Sequence, residues 1–260
     1  MRKFLVPALA ALAITAVAVP VALAAGEQVN VYKVSGSMTG AKGATAKSPK
    51  PVSLAFDYTT SEKNGLRPSP VSKYSILFGG LKVNNTLFAG CNVDELTAAG
   101  DTSVCPKSSI MGSGRIVNEV GQPSNLNDKS LYCYLVLTLV NSTKKDHFLL
   151  FLKGVQTAPD PKKTCVTQVA EPIDAKFVKK SGGSALEFTV PQNLLHPASL
   201  DNAVTNVQSK LKNQSKKVKG KKVSFFESTS CKKTQKISVT FTQESDGSKQ
   251  TASTPTKCTK

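Results

Sequence analysis

Six cysteines constrain this chain more than any other feature: Cys91, Cys105, Cys133, Cys165, Cys231 and Cys258. An even number of cysteines in an exported chain predicts a disulfide framework. Six cysteines allow 15 pairings, and we expect the sequential ones, 91–105, 133–165 and 231–258. The chain contains no C-x-x-C motif and no histidine near a cysteine, so the spacing of a tetrahedral zinc site is missing. We therefore predict no metal and no cofactor.

The N-terminus has the pattern of a secretory signal peptide. Arg2 and Lys3 precede an apolar run from Phe4 to Val21, and Ala22-Leu23-Ala24 fits a small-x-small cleavage site. The alternative is a retained membrane anchor, but a proline interrupts the run, which is near the lower length limit for a span. We predict a signal peptide over residues 1–24 and a secreted, extracellular or cell-wall-associated mature protein without a membrane span.

A short helix is predicted between the first two cysteines. Asn92 can cap its N-terminus, Asp94 and Glu95 place negative charge in its first turn, and Gly100 is a stop signal. These signals predict a helix over residues 93–99. A disulfide that closes this loop would add about 3 kcal/mol in the loop-entropy model.

The Gly112-Ser113-Gly114 triplet follows this segment. We predict that it forms a turn leading into a strand at residues 115–117. The alternative is a backbone cradle for an anion, for which one such triplet is weak evidence.

The rest of the chain has the pattern of short strands separated by glycine and proline. Residues 52–58 alternate apolar and polar, which is typical of a half-buried strand. Two apolar runs, 131–140 and 147–152, flank a polar segment and predict a hairpin at the centre of a sheet, and Ser245–Gly247 is the turn of a final hairpin. We predict an all-β fold, an antiparallel β-sandwich of the Ig-like or jelly-roll-like kind. It forms one domain over residues 25–260, with a weak subdivision near 170–185 as the alternative.

Two motifs together resemble a known group of proteins. They are Cys91…Cys105-Pro106…Gly112-Ser113-Gly114 and the tail from Phe226 through Cys231 to Cys258. The assembly, over about residues 50–260, resembles a family of secreted disulfide-bonded β-proteins of high-GC Gram-positive bacteria with no assigned activity. The resemblance implies an exported, disulfide-bonded, mostly β protein and implies no functional residues.

The charge is strongly positive and comes almost entirely from lysine. The net charge is +17, or +15 once Arg2 and Lys3 are removed, and Arg67 and Arg115 are then the only arginines. Lysine acts as a hydrated point charge, whereas arginine makes the bidentate contacts typical of specific phosphate recognition. This composition favours loose attraction to a polyanion, such as an anionic cell-wall polymer, over specific nucleic-acid binding.

One lysine cluster is the candidate binding site. Its seven members lie within thirteen residues that contain no acid: Lys210, Lys212, Lys216, Lys217, Lys219, Lys221 and Lys222. We predict that this cluster contacts a polyanion. The alternative is a solvated edge and loop that keep the protein soluble, since residues 204–212 have the pattern of a lysine-bearing edge strand.

Catalytic signatures are missing from the sequence. His147 and His196 are the only histidines, and there is no G-x-S-x-G or H-E-x-x-H motif. We predict a non-catalytic secreted or cell-envelope protein with a binding or structural role. The alternative is a secreted hydrolase in which His147 or His196 lies beside Ser and Asp in a pocket.

Overall fold

The structure is a computed structural model that describes residues 28–155, 164–231 and 235–256, together with the backbone of residues 258–259. The predicted signal peptide lies outside the described residues. The two α-helices are α1 (Val93–Ala99) and α2 (Gln192–Leu195). The strands are β1 (Asn30–Thr39), β2 (Lys50–Pro51), β3 (Ser53–Glu62), β4 (Val71–Gly79), β5 (Leu81–Val83), β6 (Ile110–Gly121), β7 (Leu131–Asn141), β8 (His147–Gly154), β9 (Ala170–Lys180), β10 (Gly183–Thr189), β11 (Asp201–Leu211), β12 (Ser215–Val218), β13 (Lys221–Ser224), β14 (Phe226–Ser228), β15 (Lys236–Gln243), β16 (Lys249–Pro255) and β17 (Cys258–Thr259).

Twelve of these strands form one sheet in the order β16-β15-β4-β10-β9-β8-β7-β6-β11-β3-β1-β17. Neighbouring strands are antiparallel except β1 and β17, which are parallel. Two small sheets accompany it: the β12–β13 hairpin and the group β2-β14-β5. The predicted all-β antiparallel class is confirmed, as is the β7–β8 hairpin near the middle of the sheet.

The large sheet curls until its two ends meet. The ring of Tyr32 on β1 stacks on Phe241 of β15, with ring centroids 3.8 Å apart, although β1 and β15 are near opposite ends of the strand order. The rings of Phe56 on β3 and Phe78 on β4 also contact each other, with ring centroids 6.1 Å apart. The two halves therefore face each other like the layers of the predicted sandwich. They belong to one continuous, nearly closed sheet because strand twist curls a sheet of this size.

The core fills the space inside the curl. On β3, every second side chain faces inward, and Leu54, Phe56 and Tyr58 are all buried. This is the period of two that the sequence predicted for residues 52–58. Inward side chains of β4, β7, β8, β9, β10, β11 and β15 complete the same cluster. Since burial of apolar area is the main favourable term in folding, this cluster is what holds the curl together.

The segment between the first two cysteines covers the outer face of β8. Leu96 of α1 is fully buried and packs with Leu149 and Phe151, whose neighbours along the strand point into the main core. Both faces of β8 are thus buried. This explains why residues 148–152 are continuously apolar instead of alternating.

Helix α1 confirms the prediction for residues 93–99. The Asn92 side chain accepts a hydrogen bond from the backbone N–H of Asp94 at 2.8 Å, and Gly100 closes the helix with φ of 60°. The Cys91–Cys105 and Cys133–Cys165 disulfides are also as predicted. The third pair involves the side chain of Cys258, which lies outside the described residues.

Two local predictions are wrong. Gly112 and Gly114 lie inside β6 and not in a turn; a Cβ at either position would lie 2.2 Å from a backbone oxygen of β11. Close approach of the neighbouring strand therefore requires these glycines. Residues 204–212 do not form an edge strand either, because β11 pairs with β6 on one side and with β3 on the other.

Because the strands are antiparallel, their connections gather at two ends of the curled sheet. We call one the basic end; it carries residues 40–52, 80–92, 142–146, 181–182 and 212–231. The other, which we call the capped end, carries residues 63–70, 122–130, 190–200 and 244–248. Helix α2 belongs to the capped end, and its Leu194 and Leu195 are buried.

Candidate functional site

All seven predicted lysines lie at the basic end, and all seven are exposed. Lys210 and Lys212 are at the end of β11, and the other five belong to the β12–β13 hairpin. None of the seven is within 4 Å of a carboxylate in the part of the chain that the structure describes. The structure thus places all seven exposed lysines at one end of the sheet, and binding of a polyanion by this cluster stays a prediction.

The hairpin presents a lysine at its tip. Val218 pairs with Lys221, so the loop between them is only Lys219-Gly220, and both residues have positive φ, 48° and 76°. This is the geometry of a type I′ turn, which glycine or asparagine adopts at lower cost than lysine. Lys219 thus occupies a conformation that its residue type disfavours, at the exposed tip of the hairpin.

Lysines also face each other along the hairpin. Lys217 lies directly opposite Lys222, and directly opposed like charges destabilise an antiparallel pair. On the other face, Lys216 and Lys221 alternate with two valines. Positive charge therefore covers both faces of the hairpin.

A basic groove lies at the same end of the sheet. Its volume is about 1030 Å³, and its walls include the β4–β5 and β9–β10 connections, with Gly79, Gly80, Gly182 and Gly183. Five exposed lysines line it: Lys82, Lys145, Lys179, Lys180 and Lys236. The sequence analysis missed these residues because they are far apart along the chain.

Two of the groove lysines are neutralised by ion pairs. Lys82 contacts Glu227 at 3.1 Å, and Lys180 contacts Glu187 at 2.9 Å. Lys145, Lys179 and Lys236 have no carboxylate partner among the described residues. One acidic side chain, Asp146, also lines the groove, so positive charge is in excess.

The hairpin is attached next to this groove. Asn84 directly follows β5, which lines the groove; its Nδ2 donates to the Ser224 carbonyl at 2.8 Å, and its backbone N–H donates to the Phe225 carbonyl at 2.9 Å. The ammonium of Lys216 lies 5.4 Å from the ring centre of Phe88, within range of a cation–π contact. These contacts fix the base of the hairpin against β5 and join the two lysine groups into one basic surface.

The two histidines lie at opposite ends of the sheet: His147 follows the groove residue Asp146 at the basic end, and His196 belongs to the capped end. Nδ1 of His147 is 2.7 Å from Oδ1 of Asp174. His196 lies between two carboxylates, with Nδ1 at 3.2 Å from Asp201 and Nε2 at 2.9 Å from Glu244. A nucleophile must be within hydrogen-bonding reach of its base, and no serine or threonine hydroxyl of the described residues contacts either ring. The hydrolase alternative thus stays a prediction without a site.

The His196 group continues into a buried structural network. Arg67 is fully buried, forms an ion pair with Asp201 at 3.2 Å, and donates to the carbonyls of Gln122, Asn125 and Asp128 at 2.8–3.2 Å. A buried charge is tolerated only when it is paired and hydrogen-bonded in this way. Arg67 therefore fixes residues 122–128 over the capped end.

No protein family, curated protein or solved structure matches this chain. Within the described residues, no group of three or more His, Cys, Asp and Glu side chains is arranged to hold a metal ion. In the same part of the chain, every helix is too short or too polar to cross a bilayer. The basic surface is therefore the feature of the described residues that bears most directly on function.

Proposed function

We propose that this protein is an exported, non-catalytic binding protein of the cell envelope that contacts an anionic polymer through its basic end. The observation that carries the proposal is the seven-lysine cluster, whose members are all exposed and without a carboxylate partner among the described residues. The adjoining groove adds three more unpaired lysines. A surface with one sign of charge raises the local concentration of a polymer of opposite sign.

The residue types favour a polymer that is recognised by its charge. Arg67 is fully buried, which leaves Arg115 as the exposed arginine of the described chain. Phe225 and Phe226, the aromatic residues nearest the cluster in sequence, are also fully buried. Sequence-tolerant binding of single-stranded nucleic acid relies on aromatic side chains on which bases stack. The ring of Phe88 is half-buried and already contacts the Lys216 ammonium. Lysine point charges with so little aromatic surface beside them suit a flexible polymer of repeated phosphate or carboxylate groups.

Export is the second part of the proposal. The Cys91–Cys105 and Cys133–Cys165 disulfides are compatible with an oxidising extracellular compartment. The signal-peptide pattern of residues 1–24 and the resemblance to secreted proteins of high-GC Gram-positive bacteria point the same way. An anionic wall polymer is the polyanion that such a protein meets first.

The test is co-sedimentation of the mature protein with purified, protein-free cell wall at low and high salt. The screening length falls from about 30 Å at 0.01 M to about 3 Å at 1 M ionic strength. We expect strong binding at the lower value and loss of binding at the higher one. A hairpin variant with Lys217, Lys219, Lys221 and Lys222 changed to glutamine should bind at least tenfold more weakly.

A charge-matched control separates the basic end from net charge. It changes four exposed lysines of β1, β4, β16 and the β3–β4 connection to glutamine: Lys33, Lys63, Lys73 and Lys249. Both variants lose the same charge, so the control should keep wild-type binding if the hairpin is the contact surface. Equal weakening of the two variants, or binding that 1 M salt leaves intact, would refute the proposal.

A further inference from the structure

The interior of the curled sheet contains a cavity that the packed core does not fill. Its volume is about 120 Å³. The walls are almost entirely apolar and include Leu137, Leu150 and Val207 from three different strands. No Asp, Glu, Lys, Arg or His side chain lines it. An ionic ligand would therefore find no compensating charge inside.

Three asparagines interrupt this apolar wall, Asn118, Asn193 and Asn202, and the first and last of them have a buried side-chain oxygen without a partner among the described residues. Asn118 of β6 is 1% exposed, and no described residue donates a hydrogen bond to its Oδ1. Asn202 of β11 also lines the cavity, and its Oδ1 is buried without a partner among the described residues. The Nδ2 of Asn202 donates to the Leu194 carbonyl of α2 at 2.7 Å, which fixes the orientation of this amide.

The register of β6 and β11 brings the two amides together. Asn118 pairs with Val204, and Asn202 pairs with Val120, so the asparagines are diagonal neighbours on the inner face. The Cα atoms of such diagonal neighbours lie about 7–8 Å apart. This is near enough for one small group to bridge their side chains. A bulge at Thr205 adds one residue to β11 and shifts its register against β6. Because of this extra residue, Asn202 and Val207 both face inward although they are five residues apart.

An unsatisfied buried amide is expensive for a protein core. Each buried polar atom left without a partner costs about 1–3 kcal/mol, and leucine at either position would have avoided this cost. Two such amides on neighbouring strands of one cavity point to a hydrogen-bonding partner other than the described residues.

We propose that this cavity binds a small, neutral, largely apolar molecule carrying one hydroxyl group, about the size of phenol. A cavity of about 150 Å³ in another protein holds benzene, so the volume here admits one ring or a short alkyl chain. A hydroxyl has one hydrogen to donate and an oxygen that accepts, so it donates to Oδ1 of Asn202 and accepts from Nδ2 of Asn118. The apolar wall takes up the remainder of the molecule.

The test is titration of the mature protein with phenol and with benzene, followed by amide chemical shifts in NMR. Benzene fills the same space without the hydroxyl, and one net hydrogen bond changes affinity by about 3- to 10-fold. We expect both probes to shift amides of β6 and β11, with phenol binding 3- to 10-fold more tightly. This comparison uses the wild-type chain and so does not depend on how a variant folds.

Variants then assign the preference to Asn118. Asn118→Leu keeps the volume and removes one of the two amides, so the preference for phenol over benzene should fall while benzene affinity is retained. Asn206→Leu, on the neighbouring outward position of β11, is the matched control and should leave the preference unchanged. Val207→Phe should fill the cavity and abolish binding of both probes.

Three results would overturn the proposal. The first is absence of binding by either probe at millimolar concentration. The second is a phenol preference that Asn118→Leu leaves unchanged. The third is a crystal structure in which ordered waters bridge Asn118 and Asn202 and remain there in excess phenol, because the amides would then be satisfied by solvent alone.

Discussion

Lys217 of β12 lies directly opposite Lys222 of β13, in the hairpin that carries most of the lysine cluster. Like charges at this position destabilise a two-stranded ribbon, and such a ribbon has little stability of its own. A sequence selected only for hairpin stability would place a carboxylate at one of the two positions. The opposed pair therefore supports a role for the charge in binding.

Lys222→Glu should separate stability from binding. The substitution converts a repulsive pair into an attractive one and should stabilise the hairpin by roughly 0.2–1 kcal/mol. It also reverses one charge of the proposed polymer surface, so affinity for purified cell wall at low salt should fall several-fold. Amide hydrogen exchange of β12 and β13 measures the first effect, and co-sedimentation measures the second.

Lys33→Glu is the matched control, since Lys33 is an exposed lysine on β1. It changes net charge by the same amount, and we expect neither hairpin protection nor wall binding to change much. Faster exchange in the Lys222→Glu hairpin, or undiminished wall binding, would contradict the argument from the opposed pair.

The Cys91–Cys105 disulfide should stabilise the segment that covers β8. Replacing both cysteines by alanine removes the constraint on a loop with a sequence separation of 14 residues. The expected loss is about 3 kcal/mol of unfolding free energy in the loop-entropy model. Urea denaturation monitored by circular dichroism measures it.

Leu96→Ala gives an independent measure of the same segment with the disulfide intact. Leu96 is fully buried against Leu149 and Phe151, and removing such a side chain costs about 2–5 kcal/mol. If both variants were as stable as the wild type, α1 would not be needed to cover β8.

Helix α1 could be predicted residue by residue because its signals are local. The cap at Asn92, the acidic first turn and the stop at Gly100 act within ten residues of each other. The final hairpin was predicted for the same reason, from the turn at residues 245–247. Sequence proximity was sufficient in both cases.

Predictions failed where partners come from distant parts of the chain. The role of Gly112 depends on the carbonyl of Lys210, and β11 is an interior strand because β3 and β6 both pair with it. The groove lysines, such as Lys82 and Lys179, meet only because alternate strand ends share one end of the sheet. Strand order would have been needed to find them.

Glu62 should make stability depend on pH in the acid range. Its side chain is 5% exposed and accepts hydrogen bonds from the backbone N–H groups of Val29, Asn64 and Leu66 at 2.6–3.2 Å. Burial alone would raise the pKa of this carboxyl, but the donated hydrogen bonds outweigh burial and hold the pKa below its ordinary value.

The sign of the pH effect follows from this lowered pKa. The stabilisation is present above the unfolded pKa of about 4.3 and is lost as the pH falls through the lower folded pKa. At pH 7, Glu62→Gln should cost roughly 1.5–3 kcal/mol, the range for hydrogen bonds to a charged group. Urea unfolding of both proteins from pH 7 to pH 2 should give curves that converge at the acid end. A difference that stays constant with pH would rule out ionisation of Glu62 as the cause.

Gly112→Ala should disrupt the pairing of β6 with β11. A Cβ at this position would lie 2.2 Å from the carbonyl oxygen of Lys210 and 2.9 Å from the Cα of Leu211, both backbone atoms that cannot rotate away. Overpacking of this kind typically costs 1–3 kcal/mol and occasionally more, and we expect about 2 kcal/mol or more by urea denaturation. Ser113→Ala, one residue along β6 and exposed, should have little effect.

Gly112→Ala should also shift the base of the lysine hairpin. The carbonyl of Met111 accepts a hydrogen bond from the Lys212 N–H at 2.8 Å, so displacement of β6 would move Lys212 as well. Full stability in Gly112→Ala would rule out close approach of β11 as the reason for this glycine.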